Sequence, residues 1–261
     1  MKPPAPDTRS PLTAPPLRNP GQSLDEEIAR ILDEDVVGYL FAALWLLLAT
    51  LAEWGRWWFQ FPPQPVPFTL VAVAFAAYVA RKLFVLRREV RRLRLARDGE
   101  KAVGQYLESL RANGYRVLHD LVGEGFNVDH ALIGPAGIFA VETKTYRKPA
   151  KGKPEIVYDG ERVTVAGHAP DRDPIAQGKA QARWLQNVLL ESTGQRFEVQ
   201  PVVLYPGWFV KATAKPGAGS PWVLNPKALP AFLGHHPVRL SDAEAQMATY
   251  HLSRFVRATA K

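Results

Sequence analysis

The chain has 261 residues, no cysteine, and a formal net charge of +8 with a pI near 9.7. The lack of cysteine excludes disulfides, thiolate zinc sites and cysteine nucleophiles, and the six scattered histidines form no helical His-x-x-x-His pair for a zinc hydrolase. The charge points to a phosphate-bearing partner, nucleic acid or anionic lipid. However, eight basic residues against Glu89 alone fall between Arg81 and Arg97, so the remainder is close to neutral.

Residues 1–22 carry seven prolines and few large apolar groups. Such a tail cannot bury enough surface to offset its ordering entropy and is expected to be disordered. It has no apolar stretch of the secretory-signal kind near its start. Ser23, with Asp25, Glu26 and Glu27 behind it, has the composition of a helix start and predicts a short amphipathic helix over 23–35.

Val36 to Ala52 is an almost unbroken apolar run of 17 residues, about 26 Å of helix at 1.5 Å per residue, near the lower limit for a membrane span. Trp54, Trp57, Trp58 and Phe59 follow, as suits a lipid–water interface. A proline-rich turn leads to a second apolar run from Val66 to Ala80, which extends to Leu86 if Arg81 and Lys82 snorkel. Residues 36–86 therefore predict a two-helix transmembrane hairpin. The competing reading is a pair of buried core helices. Residues 87–98 read as a basic juxtamembrane helix, placed on the cytoplasmic side together with the N-terminal tail by the positive-inside rule. Val79, Leu83, Leu86, Val90 and Leu93 form a heptad-like seam. It could pack on the following domain, lie on the membrane surface, or join a homodimer through residues 79–93.

Residues 99–261 have the pattern of a compact α/β domain. A helix is expected from Gly99 to Asn113, with Val103, Leu107 and Leu110 inward and Glu100 able to share that face. A strand over Tyr115–Leu121 follows. Asp159-Gly160 predicts a hairpin between Ile156–Tyr158 and Arg162–Val165. Asp173-Pro174 starts a helix through Leu190 with Gln177 in its first turn. Val199–Tyr205 reads as a buried strand, 206–226 as loop with a short strand at Trp222–Leu224, and two more helices lie beyond.

The stretch from Phe126 to Lys144 carries the chemistry. Two strands flank a Gly134-Pro135-Ala136-Gly137 turn. Period two puts Ile138, Ala140, Glu142 and Lys144 on one face and Phe139, Val141 and Thr143 on the other. Glu142 and Lys144 thus leave a hydrophobic strand on one side, and the hairpin partner supplies Asp129. Two carboxylates and a lysine suit a hard divalent cation that shares its shell with substrate phosphate oxygens. The lysine can orient a water or stabilise developing negative charge. The bland alternative is an exposed Glu-Lys pair at a strand end.

The ordered set Asp129…Glu142-Thr143-Lys144 resembles the core of the PD-(D/E)XK nuclease superfamily. More closely, residues 99 to about 205 resemble the nuclease-related domain (NERD) family. The resemblance rests on Gly99-Glu100 opening a helix, Val128 to Gly134, Gly137 to Lys144, and Asp173-Pro174-Ile175-Ala176-Gln177, where the family has Asn-Pro and then Gln. The chain departs from the family after Lys144, where Tyr146 to Lys151 precede Gly152. The resemblance implies a restriction-endonuclease-like α/β domain with a central mixed sheet, Mg²⁺- or Mn²⁺-dependent phosphodiester hydrolysis, and DNA as substrate. It implies Asp129 and Glu142 as metal ligands with the Thr143 carbonyl, Lys144 orienting the water, Glu100 holding a metal-bound water, and Gln177 positioning nucleophile or phosphate. A bacterial inner membrane fits it. The alternative is a non-catalytic, membrane-tethered module that binds nucleic acid or protein.

Overall fold

The computed structural model describes residues 16–62, 65–123, 125–149, 154–214 and 219–259. The chain divides into two compact units, one made of Gln22–Asp98 and the other of Gly99–Lys261 with the N-terminal residues up to Gly21.

The first unit is helical. Helix α1 (Gln22–Arg30) passes through a π-helical turn (Ile31–Val36) into α2 (Val37–Trp58), and α3 (Pro65–Glu108) follows. The helix begins one residue ahead of the Ser23 expected to cap it. The apolar windows of α2 and α3 are long enough to cross a membrane. Phe41, Trp45, Leu48, Leu51, Leu70, Val71 and Val73 are all exposed, which removes the buried-core reading of these helices. The rings of Tyr39 and Tyr78 meet edge-on at 6.2 Å, so α2 and α3 touch as a hairpin. Leu86, Val90 and Leu93 of the heptad-like seam pack against Ile28 and Ile31 of the same chain. Arg97 pairs with Asp25 at 3.1 Å beside them. This intrachain packing already uses three of the five seam residues offered for a dimer.

No break separates the basic segment from the helix expected at Gly99: α3 runs through both to Glu108, because no proline follows Pro67 in its first turn before Glu108 and single glycines are tolerated inside long helices. A 3₁₀ turn (Ser109–Asn113) ends it.

In the second unit a five-stranded mixed sheet has the order β1 (Arg116–Val122), β2 (Asn127–Gly134), β3 (Gly137–Thr143), β6 (Val199–Leu204), β8 (Trp222–Leu224). The first three are antiparallel, and β3, β6 and β8 run parallel. A smaller sheet has the order β5 (Val163–Val165), β4 (Glu155–Tyr158), β7 (Phe209–Ala212). β7 lies in the segment read as loop. Its residues carry no alternating pattern and its parallel pairing with β4 joins segments some fifty positions apart, as local patterning cannot reveal.

Alternation in β3 sorts the two core layers. Ile138 and Ala140 pack with Leu185 and Leu189 of α4 (Pro174–Thr193) and with Ala248 and Leu252 of α6 (Asp242–Thr259). Phe139 and Val141 pack with Val103 and Leu107 of α3 and with Leu229 and Leu233 of α5 (Leu229–His235), which follows a 3₁₀ turn (Pro226–Ala228). The small sheet buries Ile156 and Tyr158 against Val203, Tyr205 and Val223.

The proline-rich tail was expected to be disordered through residue 22. Residues 1–15 lie outside the described residues. Residues 16–21 run along the second unit, with Arg18 only 8% exposed.

Candidate active site

Strand register brings the acids together. Gly134 pairs with Gly137 and His130 with Val141, so continuing the ladder places Asp129 across from Glu142. Both are buried, at 9% and 3% exposure, which rules out the exposed Glu-Lys reading. The Thr143 N–H donates to Asp129 Oδ2 at 2.7 Å, fixing one acid to the strand that carries the other.

Helix α4 supplies the next layer. The Asp173 side chain accepts from the N–H groups of Ile175 and Ala176, with Pro174 in the first turn, as its sequence predicts. Gln177 then lies beside the end of β3. Its amide nitrogen donates to Glu142 Oε1 at 2.6 Å, and its oxygen accepts from Lys144 Nζ at 2.8 Å. Lys144 Nζ also meets Glu142 Oε1 at 2.6 Å. Glu142, Lys144 and Gln177 therefore close a three-membered ring. One turn on, Gln181 donates to Glu142 Oε2 and, at 2.8 Å, to the Asn127 carbonyl. Gln181 was not foreseen, although its i+4 spacing from Gln177 puts both on one helix face.

Glu100 reaches the site from α3. A Cβ on Gly99 would fall 1.8 Å from Thr145 Oγ1, so the helix passes against the chain just after Lys144 at a separation only glycine allows. Burial, then repulsion from Glu142 and Asp120, pushes the Glu100 carboxyl up to about 8. Burial, then Glu142 and Glu100, raises Asp129 well above the usual carboxylate range. All five expected catalytic residues thus interact in one cluster, with carboxyl groups in excess of the nearby lysine.

That excess tests the fit to a divalent cation. Crowded carboxylates with raised proton affinity are what a hard cation neutralises. Gln181 Oε1, Thr145 Oγ1 and Tyr205 OH are buried here without hydrogen-bond partners, and such groups in a folded protein mark a place for water or an ion. Among the described residues no group of three or more His, Cys, Asp or Glu is arranged so that it could hold a metal ion by itself. Paired carboxylates such as Asp129 and Glu142 are the kind of oxygen donors that a cation of the Mg²⁺ type takes when water and substrate fill the rest of its shell.

A second polar chain reaches Thr143 from the opposite face of the sheet. Glu108 Oε1 meets His119 Nε2 at 2.9 Å, His119 Nδ1 meets His130 Nδ1 at 2.9 Å, and His130 Nε2 meets Thr143 Oγ1 at 3.5 Å. Arg111 holds the Glu108 carboxyl below its ordinary value, so Glu108 accepts. With both rings neutral, His119 carries its proton on Nε2, His130 on Nδ1, and the Thr143 hydroxyl donates inward. Burial lowers both histidines. No motif announces this chain, since its contacts join α3, β1, β2 and β3 only through packing and strand pairing.

Residues 95–206 match the family model described as NERD, nuclease-related domain. No curated protein and no solved structure matches the chain.

Proposed function

We propose, from the premise that residues 95–206 are a nuclease-related domain, that this protein is a membrane-anchored, metal-dependent nuclease that cleaves DNA on the cytoplasmic side. The observation that carries the reading is the Glu142 carboxylate, buried beside Asp129 and gripped at once by Lys144, Gln177 and Gln181.

Asp129, Glu142 and the Thr143 carbonyl would hold the cation, Mg²⁺ or Mn²⁺. When bound, the cation polarises a phosphoryl oxygen and lowers the pKa of a water. Lys144 has three N–H donors. Two go to Gln177 and Glu142, which leaves one to orient the attacking water or a phosphate oxygen as charge develops. Gln177 keeps ammonium and carboxylate in register. Glu100 holds a water beside them.

Two further observations support the anchor. The apolar faces of α2 and α3 are exposed, and the basic run follows the second apolar stretch, as it does on the cytoplasmic flank of a span. The chain enters the helical unit from residues 16–21 and leaves it at Gly99, both in the α/β unit, as an even number of spans requires. A bacterial inner membrane is the matching location.

The test is cleavage by the full chain in detergent of linear duplex DNA, single-stranded DNA and RNA, with Mg²⁺, Mn²⁺ or Ca²⁺. Mg²⁺ or Mn²⁺ should support cleavage of DNA, and Ca²⁺ should allow binding with little turnover. Equal cleavage by Glu142→Ala and Lys144→Ala would assign any activity to a contaminant. The concentration of positive charge outside the α/β unit then favours a tethered binding module instead.

A further inference from the structure

Arg18 is remote in sequence from every residue of the candidate site, yet it lies inside the α/β unit. Its Nε donates to Asp120 Oδ2 at 2.7 Å, and both side chains are nearly inaccessible. The segment around it is seated closely: a Cβ on Gly104 would fall 2.7 Å from the Pro20 Cβ.

Asp120 is an unusual residue in its own right. Its φ is 51° in the middle of β1, a left-handed conformation that costs a non-glycine residue energy and clusters at functional sites. The pairs His119 with His130 and Leu121 with Val128 place Asp120 opposite Asp129. Its second oxygen accepts from Asn127 Nδ2 at 3.3 Å. The Asn127 carbonyl accepts from Gln181, and Gln181 donates to Glu142 Oε2. An unbroken polar chain therefore runs Arg18, Asp120, Asn127, Gln181, Glu142.

We propose that Arg18 is a positioning residue of the active site, holding Glu142 in its ligating orientation through Asp120, Asn127 and Gln181. The segment at 16–21 is then part of the nuclease, and the membrane hairpin is an insertion between it and the rest. The proposal rests on the nuclease reading above. Arg18 does not reach the reacting atoms. It offsets the buried Asp120 charge and orients the carboxylate whose other oxygen fixes Asn127.

The experiment uses the full chain in detergent. A lone Arg18→Leu leaves a buried carboxylate uncompensated and can unfold the protein, whereas replacing a whole buried pair by apolar residues is often neutral for stability. The informative variant is therefore Arg18→Leu with Asp120→Leu. Asn127→Ala is the second variant, because it cuts the chain without touching either charge. The readouts are melting temperature, Mn²⁺ affinity by calorimetry, and kcat and KM for DNA. Both variants should melt near the native temperature, lose about 10–100-fold in Mn²⁺ affinity or kcat, the usual cost of removing an outer partner of a metal ligand, and keep KM. Adding Gln181→Leu should cost little more, since links of one chain are not additive. Native Mn²⁺ affinity and kcat in both variants, or fully additive losses with Gln181→Leu, would overturn the positioning role and leave the nuclease reading standing. A native chain that neither binds Mn²⁺ nor cleaves overturns both.

Discussion

The main-chain N–H of Thr143 donates to the Asp129 carboxylate at 2.7 Å. This bond joins the end of β3 to the acid of β2, so two carboxyl groups are held on neighbouring strands before any ligand arrives. Burial, and then the facing Glu142, raises the Asp129 carboxyl well above the usual carboxylate range, and the arrangement persists because strand pairing over-determines it.

The first prediction follows from that pairing. Asp129→Ala and Glu142→Ala should lower Mn²⁺ affinity and abolish cleavage, while Lys144→Ala should bind Mn²⁺ normally and slow single-turnover cleavage by ~10²–10³. Because the three act on one water, each single change should approach the triple in effect. Circular dichroism checks that the fold survives.

Glu100 supplies a pH signature. Its carboxyl is raised from 4.5 to about 8, so between these values the folded protein keeps a proton that the unfolded chain releases. Stability without metal should therefore fall as pH rises from about 4.5 to 8. Glu100→Gln should flatten that fall in melting temperature measured across the range.

The histidine pair acts in the opposite direction. Burial lowers His119 and His130, so below about pH 6.5 the unfolded histidines bind protons that the folded ones refuse. Their contribution is complete above that pH and lost as pH falls. His130→Gln, which retains a donor and cannot titrate, should make the acid limb of the melting curve shallower.

The anchor is tested by fractionation. The full chain should stay with membranes through carbonate and high-salt washes. With no native cysteine, single cysteines placed at Leu17 and at Arg257 should both be labelled only from the cytoplasmic side. Recovery as a monodisperse soluble protein without detergent, or labelling of the two from opposite sides, would sink the two-span topology.

Several features were determined by sequence alone. The two-residue turn at Pro135-Ala136 and strict alternation set Asp129 across from Glu142, because a strand's side-chain period is two and a tight turn fixes the register. Asp173-Pro174 set the start of α4 through local capping chemistry. The exposed apolar helices were legible because a span needs only composition and length.

The tertiary structure decided the rest. Gln177 and Gln181 grip Glu142 only because α4 packs Leu185 and Leu189 on the face of β3 that carries Glu142. Glu100 arrives because Gly99 lets α3 approach Thr145. Arg18 and Asp120 are 102 positions apart, with the helical unit between them in sequence. Neither has a periodic or motif signal, and their pairing depends on long-range packing and one left-handed residue, which local patterns do not encode.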